Sequence, residues 1–503
     1  MASRHYIGID IGTTGTKTVL LERSAGIIAQ ANFESPIFSD GPAFAEADAD
    51  AWVDNAVNGI RAVLTESGVD PATVVAVATT GMVPAVLCLD ADMKPVRRPI
   101  LQNDARATVE IGELASLIDG ADMLTRTGSA LTQQSVAPTL MWLRRHEPEL
   151  WSRTVHVVGS YDYVLTALGA PVHVEENWAL ESGLYTLDGS RYDTAITAAG
   201  LDPGLLSTPV RPGTVVGAVS ARVAAETGLD PATALVVGGA DHVLSAYAAG
   251  VDSPGKWLVK LGGAGDILTA CDAPVVDERL YLDAHPRPGV WLPNGCMATS
   301  GSLIRWFQTV VGGVTLAELD AEAASREPAS LLCLPYFLGE KSPIHDPELR
   351  GAFLGLELSH TRADLYRAVL EAIAFGFRHN AEAMRAAGIE LDARASVTNG
   401  GSKSMLWKQI HADVLNVELI PVRDHPGASL GAAILAGVGA GDLTVDDSAR
   451  FLHTDPPIVP DPARVAAYDQ AYRLWRQAGD ALTGVSHALA RRRTDRAATS
   501  KEG

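Results

Sequence analysis

The 503-residue chain is 47% hydrophobic and 20% charged, a globular composition rather than a disordered one. Its formal net charge of −20 argues against wrapping nucleic acid, which needs a clustered basic surface. The four cysteines, Cys88, Cys271, Cys296 and Cys333, lie far apart with no CxxC pair, which suits a reducing cytosol better than a disulfide frame or a zinc site.

The opening "MASRHYIGID" runs straight into a strand with no signal-peptide core. The most hydrophobic small-residue run, 427–441, is too short and too Gly-rich to span a bilayer. A soluble, cytoplasmic protein is expected. "YIGIDIGTTGTKTVL" (6–20) predicts a strand over 5–11, a tight turn, and a strand over 16–22. The turn fails the P-loop spacing, because Gly12 and Gly15 are only three apart and Thr16 separates Gly15 from Lys17. What remains is a hairpin whose glycines let backbone N–H groups approach an anion, with hydroxyls from Thr13, Thr14 and Thr16. Asp10, just upstream, can face a phosphate only across a divalent cation, and magnesium is satisfied by one carboxylate plus phosphates and waters. A Gly-rich hairpin with a solvated threonine face is the plainer alternative.

A helix over 49–66, strands over 73–79 and 84–89, and a helix over 138–146 follow. The strand at 234–238 meets Gly238 and Gly239, and Asp241 then opens a helix over 242–249. Asp241 is either that helix's N-cap or an exposed carboxylate at a strand's C-terminal end, where it can take the proton of a hydroxyl attacking phosphorus.

After the Pro-Gly junction "GVDSPGKW" (250–257), strands are expected at 257–261, 266–271 and 331–335, and helices at 361–386, 404–415, 428–438 and 463–488. "WLVKLGGAGDILTA" (257–270) echoes the opening hairpin, with Gly262 and Gly265 matching Gly12 and Gly15 at an offset of 250. "GVDPATVVAVATTG" (68–81) and "GLDPATALVVGGAD" (228–241) form a second echo. Glycines and small residues precede helix starts in 398–415 and 426–441, which signals tight helix packing or a slot for a flat ring such as a purine. The last helix opens with Asp461-Pro462 and carries Val465, Tyr468, Tyr472 and Trp475 as a stripe; the polar tail within 486–503 is expected to be disordered.

Three longer motifs carry a resemblance. "GAFLGLELSHTRADLYRAVLE" (351–371) combines a G-x-aromatic-x-G-L start with an acidic, apolar helix ending in Glu. "GEKSPIHDPELRG" precedes it, and "APTLMWLRRHEPELW" (137–151) carries Thr139 where a lysine is usual. Together they resemble the signatures of the FGGY carbohydrate kinases, of the actin/hexokinase/Hsp70 superfamily, over nearly the whole chain from about residue 5 to 480.

The resemblance implies an α/β fold of two RNase-H-like (actin-like ATPase) domains with an interdomain cleft: 1–250 for the sugar and catalytic base, 251–485 for the nucleotide. It implies that Gly12, Thr13, Thr14, Gly15 and Lys17 form a first phosphate loop, with Asp10 near magnesium. Gly262, Gly263 and Ala264 resemble a second, in which Gly263 and Ala264 replace the usual hydroxyl residues and leave the phosphate to backbone N–H groups. Asp241 matches the catalytic base. Asn399, Gly400, Gly401 and Ser402 resemble an adenine-site triple glycine, with Asn399 in the first glycine's place. "LQNDARA" (101–107) resembles a Trp-Asn-Asp-x-Arg segment of xylulose kinases with Gln102 replacing Trp. In the sugar-lining strand Met82, Val83 and Pro84 stand where xylulose kinases have Gln-x-His and glycerol kinases Arg-Glu, a loss of polar partners able to shift selectivity strongly. Asn103, Asp104, Arg106 and Asn177 remain as sugar contacts, or as a salt-linked structural loop.

The expected protein is an ATP- and Mg²⁺-dependent kinase of a small sugar, favouring a ketopentose such as xylulose over tetritols, tetruloses, ribulose or glycerol. The competing classes are a non-kinase actin-like ATPase, for which no peptide-binding extension is seen, and a sugar-sensing protein. No nucleic-acid or membrane partner is expected; the oligomeric state is left open, a homodimer being one option.

Overall fold

A computed structural model describes residues 4–41, 43–398 and 403–499, with side chains described through Arg492. The chain forms two compact units. The first takes Met1–Asp252, Cys271–Leu292 and His425–Leu452; the second takes Ser253–Ala270, Pro293–Asp424 and His453–Gly503. The first crossing thus lies close to the expected boundary at 250. The remainder is not one continuous half, because two later segments return to the first unit.

In the first unit, strands β1 (His5–Gly12), β2 (Gly15–Glu22) and β3 (Gly26–Glu34) form an antiparallel meander. Helix α1 (Ala49–Ser67) follows, capped by the Asp48 carboxylate and ended by Gly68 in the left-handed region. Strands β4 (Val74–Gly81), β5 (Val215–Ala218) and β6 (Ala234–Ala240) complete a sheet of order β3-β2-β1-β4-β6-β5, in which β1, β4 and β6 run parallel. Helices α2 (Glu176–Ser182), α3 (Asp241–Ala248) and α4 (Ala428–Gly439) belong to the same unit.

Residue alternation fixes which helix covers which sheet face. Thr18 pairs with Ile9 and packs against Gly59 of α1, whereas Gly8 pairs with Val19 and packs against Ser429 and Ala433 of α4. A Cβ on Gly8 would stand 2.0 Å from the Ser429 carbonyl oxygen, so β1 and α4 lie backbone to backbone. With both faces covered, β1 reads as a nearly unbroken apolar run.

The second unit repeats the plan. Strands β7 (Trp257–Leu261), β8 (Gly265–Thr269), β9 (Trp291–Met297), β10 (Arg394–Thr398) and β11 (Glu418–Arg423) lie in the order β9-β8-β7-β10-β11. What recurs is the antiparallel trio with a parallel neighbour: β9-β8-β7 with β10 beside β7, as β3-β2-β1 with β4 beside β1; the seven-stranded sheet has two further edge strands, Tyr281–Ala284 and His453–Thr454. The Gly12/Gly15 and Gly262/Gly265 echo therefore marks equivalent first hairpins. The second echo has another origin. Both copies are an Asp-Pro-Ala-Thr turn, in which Asp70 accepts from the Ala72 amide and Asp230 from the Ala232 amide, and they feed neighbouring strands β4 and β6 of one sheet.

Some expected elements differ. Within 84–89 the strand proper is Leu87–Leu89, and Val86 adds an isolated bridge to Ile100. The last helix spans Pro462–Thr499, so the backbone is helical through most of the stretch expected to be disordered. Asp461 caps its start through the Ala463 amide, and Tyr468, Tyr472 and Trp475 pack around Phe375 of the helix Arg362–Ala386. The four cysteines form no disulfide, and burial pushes the thiols of Cys88 and Cys296 up to about 12 and of Cys271 to about 11. Among the described residues no helix is long and apolar enough to cross a membrane.

Candidate active site

The C-terminal ends of the parallel strands β1, β4 and β6 form one edge of the first unit's sheet, the side on which open α/β sheets bind ligands. β1 ends in the turn at Thr13-Thr14, closed by the Gly12–Gly15 pair. Neither glycine has positive φ. A Cβ on Gly15 would instead stand 2.6 Å from the Phe33 carbonyl of β3, so this glycine serves strand packing. Thr13 is half-buried and Thr14 exposed, while Thr16 pairs with Ile11 on the α1 face and is fully buried, so it adds no donor to the turn.

Asp10 pairs with Lys17 across the hairpin, on the face covered by α4. The Lys17 ammonium donates to the Pro426 carbonyl, 3.0 Å away and just before α4. A half-buried carboxylate is a hard oxygen donor of the kind magnesium takes.

β4 ends at Gly81, followed by Met82 and Val83, both buried. The Met82 amide donates to the Ile11 carbonyl and its own carbonyl accepts from Ser160, which locks this corner to β1. β6 carries a bulge between Val237 and Gly239. Gly238 is required there, since a Cβ would lie 1.8 Å from the Thr79 carbonyl oxygen. The strand then turns into α3, whose N-cap is Ala240 with no side-chain cap. Asp241 is thus the first helical residue and not the cap, with a side chain 34% exposed. Since β4 separates β1 from β6, two strand spacings put the hairpin turn and Asp241 roughly 10 Å apart along the edge.

The loop at 101–106 reaches this edge through Gln102, whose Nε2 donates to the Thr13 hydroxyl at 3.2 Å. Asn103 is exposed. Asp104 and Arg106, expected as sugar contacts, are spent on structure: the Asp104 oxygens accept from the Ala45 and Arg106 amides and from the Arg106 guanidinium, which also holds Glu46 at 2.7 Å. The salt-linked loop is the reading the geometry supports. Asn177 is likewise engaged within the protein. It is fully buried, donates to Glu175 and the Ala284 carbonyl, and accepts from the Ala284 amide, bolting α2 to the strand Tyr281–Ala284.

Sequence reading missed the group beside Asp241. His242 Nε2 lies 2.7 Å from Asp283 Oδ2 and 3.6 Å from Glu181 Oε1, and Nδ1 lies 3.4 Å from Asp241 Oδ1. Burial alone would lower the imidazole's pKa, but Asp283, with Asp241 and Glu181, outweighs it and holds the pKa well above the ordinary histidine value. The adjacency in "GGADH" was the available signal; the two carboxylates come from distant chain segments.

In the second unit, the turn Gly262-Gly263-Ala264 joins β7 to β8. The Gly262 amide donates within the turn to the Lys260 carbonyl, so it is not offered to a phosphate as expected. The Gly262 and Gly263 carbonyls accept from Ser300, Gly301 and Ser302 at the start of the helix Gly301–Val311. Arg305 on that helix brings Nη2 within 3.2 Å of where a Gly263 Cβ would lie, a cation beside the turn that no motif announced. Asn399, Gly400, Gly401 and Ser402 lie outside the described residues.

Residues 5–248 match the N-terminal domain, and 269–440 the C-terminal domain, of the FGGY family of carbohydrate kinases. The chain belongs to this family. It is 28% identical over 94% of its length, and 96% of the relative's, to a xylulose kinase of Staphylococcus epidermidis. It is 28% identical over 96% of its length, and 99% of the relative's, to a probable L-xylulose kinase of Pasteurella multocida. The crystal structure of a xylulose kinase from Rhodospirillum rubrum superposes with a TM-score of 0.88 at 39% identity, covering 96% of this chain and all of that one. This FGGY protein is therefore a sugar kinase with the actin-like ATPase fold, and the family implies ATP as its phosphoryl donor.

Proposed function

We propose that this FGGY kinase transfers the γ-phosphoryl group of ATP to a hydroxyl of a ketopentose of the xylulose type, with Asp241 as catalytic base. Asp241 accepts the proton of the attacking hydroxyl, the new O–P bond forms, and the bond to the bridging oxygen breaks to release ADP. The observation that carries this reading is the placement of Asp241: first residue of α3, not a cap, partly exposed, on the same strand-end edge as the hairpin turn.

In this reading Gly12, Thr13, Thr14 and Gly15 take phosphate oxygens, and the Gly263 and Ala264 amides do the same, with Arg305 supplying charge that the missing hydroxyls do not. Gly400, Gly401 and Ser402 remain the proposed adenine contacts, and Lys17 braces the hairpin through Pro426. Asp10 would hold magnesium, which when bound neutralises phosphate charge. Met82 and Val83 offer no polar side-chain hydrogen bond to a sugar, so hydroxyl recognition falls to Asn103, Asp241 and main-chain groups. The xylulose assignment is supported by the relatives just described, whose names are those of xylulose and L-xylulose kinases.

A coupled ATP assay over D- and L-xylulose, ribulose, tetritols, glycerol and hexuloses tests the substrate, with a xylulose expected to give the highest kcat/KM. ATP hydrolysis without sugar phosphate would overturn the kinase reading in favour of a plain ATPase. Asp241→Asn is expected to lower kcat by about 10²–10⁴-fold with nucleotide KM little changed; near-wild-type turnover by that variant would remove Asp241 from the role.

A further inference from the structure

The imidazole at the start of α3 is held from every side that carries charge. Asp283 approaches from the strand Tyr281–Ala284, Glu181 from α2, and Asp241 from α3 itself. Among the described residues these three carboxylates are the ionisable groups paired with the ring, whose side chain is only 14% exposed. The 2.7 Å contact uses Nε2 as a hydrogen-bond donor to Asp283, which fixes the ring and leaves Nδ1 directed at Asp241 Oδ1. Asp283 is completely buried, and its strand is tied to α2 by the Asn177 bridge.

We infer that His242 is a positioning residue for the phosphoryl transfer: an imidazolium clamped by Asp283 and Glu181 that holds the Asp241 carboxylate ionised and aimed at the hydroxyl it deprotonates. The inference rests on the reading of Asp241 as base. Its physical content is the sign of the electrostatics. A cation about 3.4 Å from a carboxylate favours the ionised form, so the base stays proton-free to lower pH than it would beside a neutral side chain. The ring's charge is itself sustained by its neighbours: the folded-state pKa is raised, so the cation is present below that raised value and is lost as pH climbs through it. A histidine oriented by one carboxylate and facing a second group is a recurring way of fixing proton position in active sites, here with the cationic ring serving the base instead of acting as one.

The test is the pH profile of kcat/KM for the preferred sugar in His242→Asn and His242→Gln, which keep a polar side chain and remove the charge. The acid limb is expected to move to higher pH by about one unit, kcat at neutral pH to fall, and the KM for ATP to stay near wild type. His242→Lys, which restores the cation, is expected to return the acid limb toward its wild-type position. Glu181→Gln removes only the weaker of the clamping carboxylates; it keeps the question open to measurement if the His242 variants do not fold, and is expected to bring the alkaline loss of activity to lower pH. Acid limbs that coincide in wild type, His242→Asn and His242→Gln, or a Glu181→Gln profile identical to wild type, would overturn the inference. An active Asp241→Asn enzyme would overturn the base assignment itself; an inactive one with unmoved His242 profiles would remove the positioning role alone.

Discussion

Arg106 illustrates how a side chain can sit in a substrate-like motif and work for the fold. Its guanidinium is buried, bonded to both Asp104 oxygens and to Glu46. Burial would lower its pKa, but the hydrogen bonds to Asp104 and Glu46 more than compensate, so it stays charged. Arg106→Ala leaves Asp104 buried beside an empty space and is expected to cost about 3 kcal/mol, read as a lower denaturant midpoint, with the sugar KM of the folded fraction close to wild type. Arg106→Lys is expected to recover little, because one ammonium cannot replace a two-pronged contact. At this scale the sequence made the sharp strand-to-helix turn before Asp241 legible, through Gly238 and Gly239. It was not legible for Asp104, Arg106 and Asn177, since residue type alone cannot tell a polar group waiting for a ligand from one already satisfied inside the protein.

At the scale of elements, α4 shows why a stretch of small residues carried two readings. A Cβ on Gly431 would stand 2.5 Å from the Leu244 carbonyl oxygen, one on Gly437 would crowd Leu443, and one on Gly439 would crowd Val236. The small residues of 428–439 thus let a helix lie against β1 and α3, and the packing reading prevails for this segment. Gly8→Ala is expected to push α4 away from β1 and cost at least about 3 kcal/mol, since the clash is with backbone and cannot be relieved by a rotamer change. Because β1 leads into Asp10 and the hairpin turn, the same variant is expected to lower kcat even where it folds; urea unfolding and steady-state kinetics on one preparation check both. The hairpins, β4, β6 and the long helices were readable from periodicity and turn residues. The helices Glu176–Ser182 and Gly301–Val311 were not, being short or preceded by an N-cap whose side chain makes no cap.

For the whole molecule, the repeated strand order shows that the faint offset of 250 residues was a real signal, preserved where glycine is needed and blurred elsewhere. What the sequence did not display is that the first unit is finished by residues 271–292 and 425–452, since such returns leave no local mark on composition. A fragment comprising residues 1–252 lacks α4 and the Asp283 strand, and exposes the apolar face of β1, β4 and β6. It is expected to be aggregated or unfolded by size-exclusion chromatography and circular dichroism; a compact monomer with native-like helicity would contradict the division described above.

That late closure also sets a schedule for synthesis. About 200 residues must still be made after position 252 before α4 can cover its sheet, roughly 10–40 s at ordinary elongation rates. Throughout that interval the nascent sheet presents Gly8 and its neighbouring strands uncovered to the cell. Mutations that weaken the 425–452 segment are therefore expected to reduce yield during translation before they change the finished enzyme.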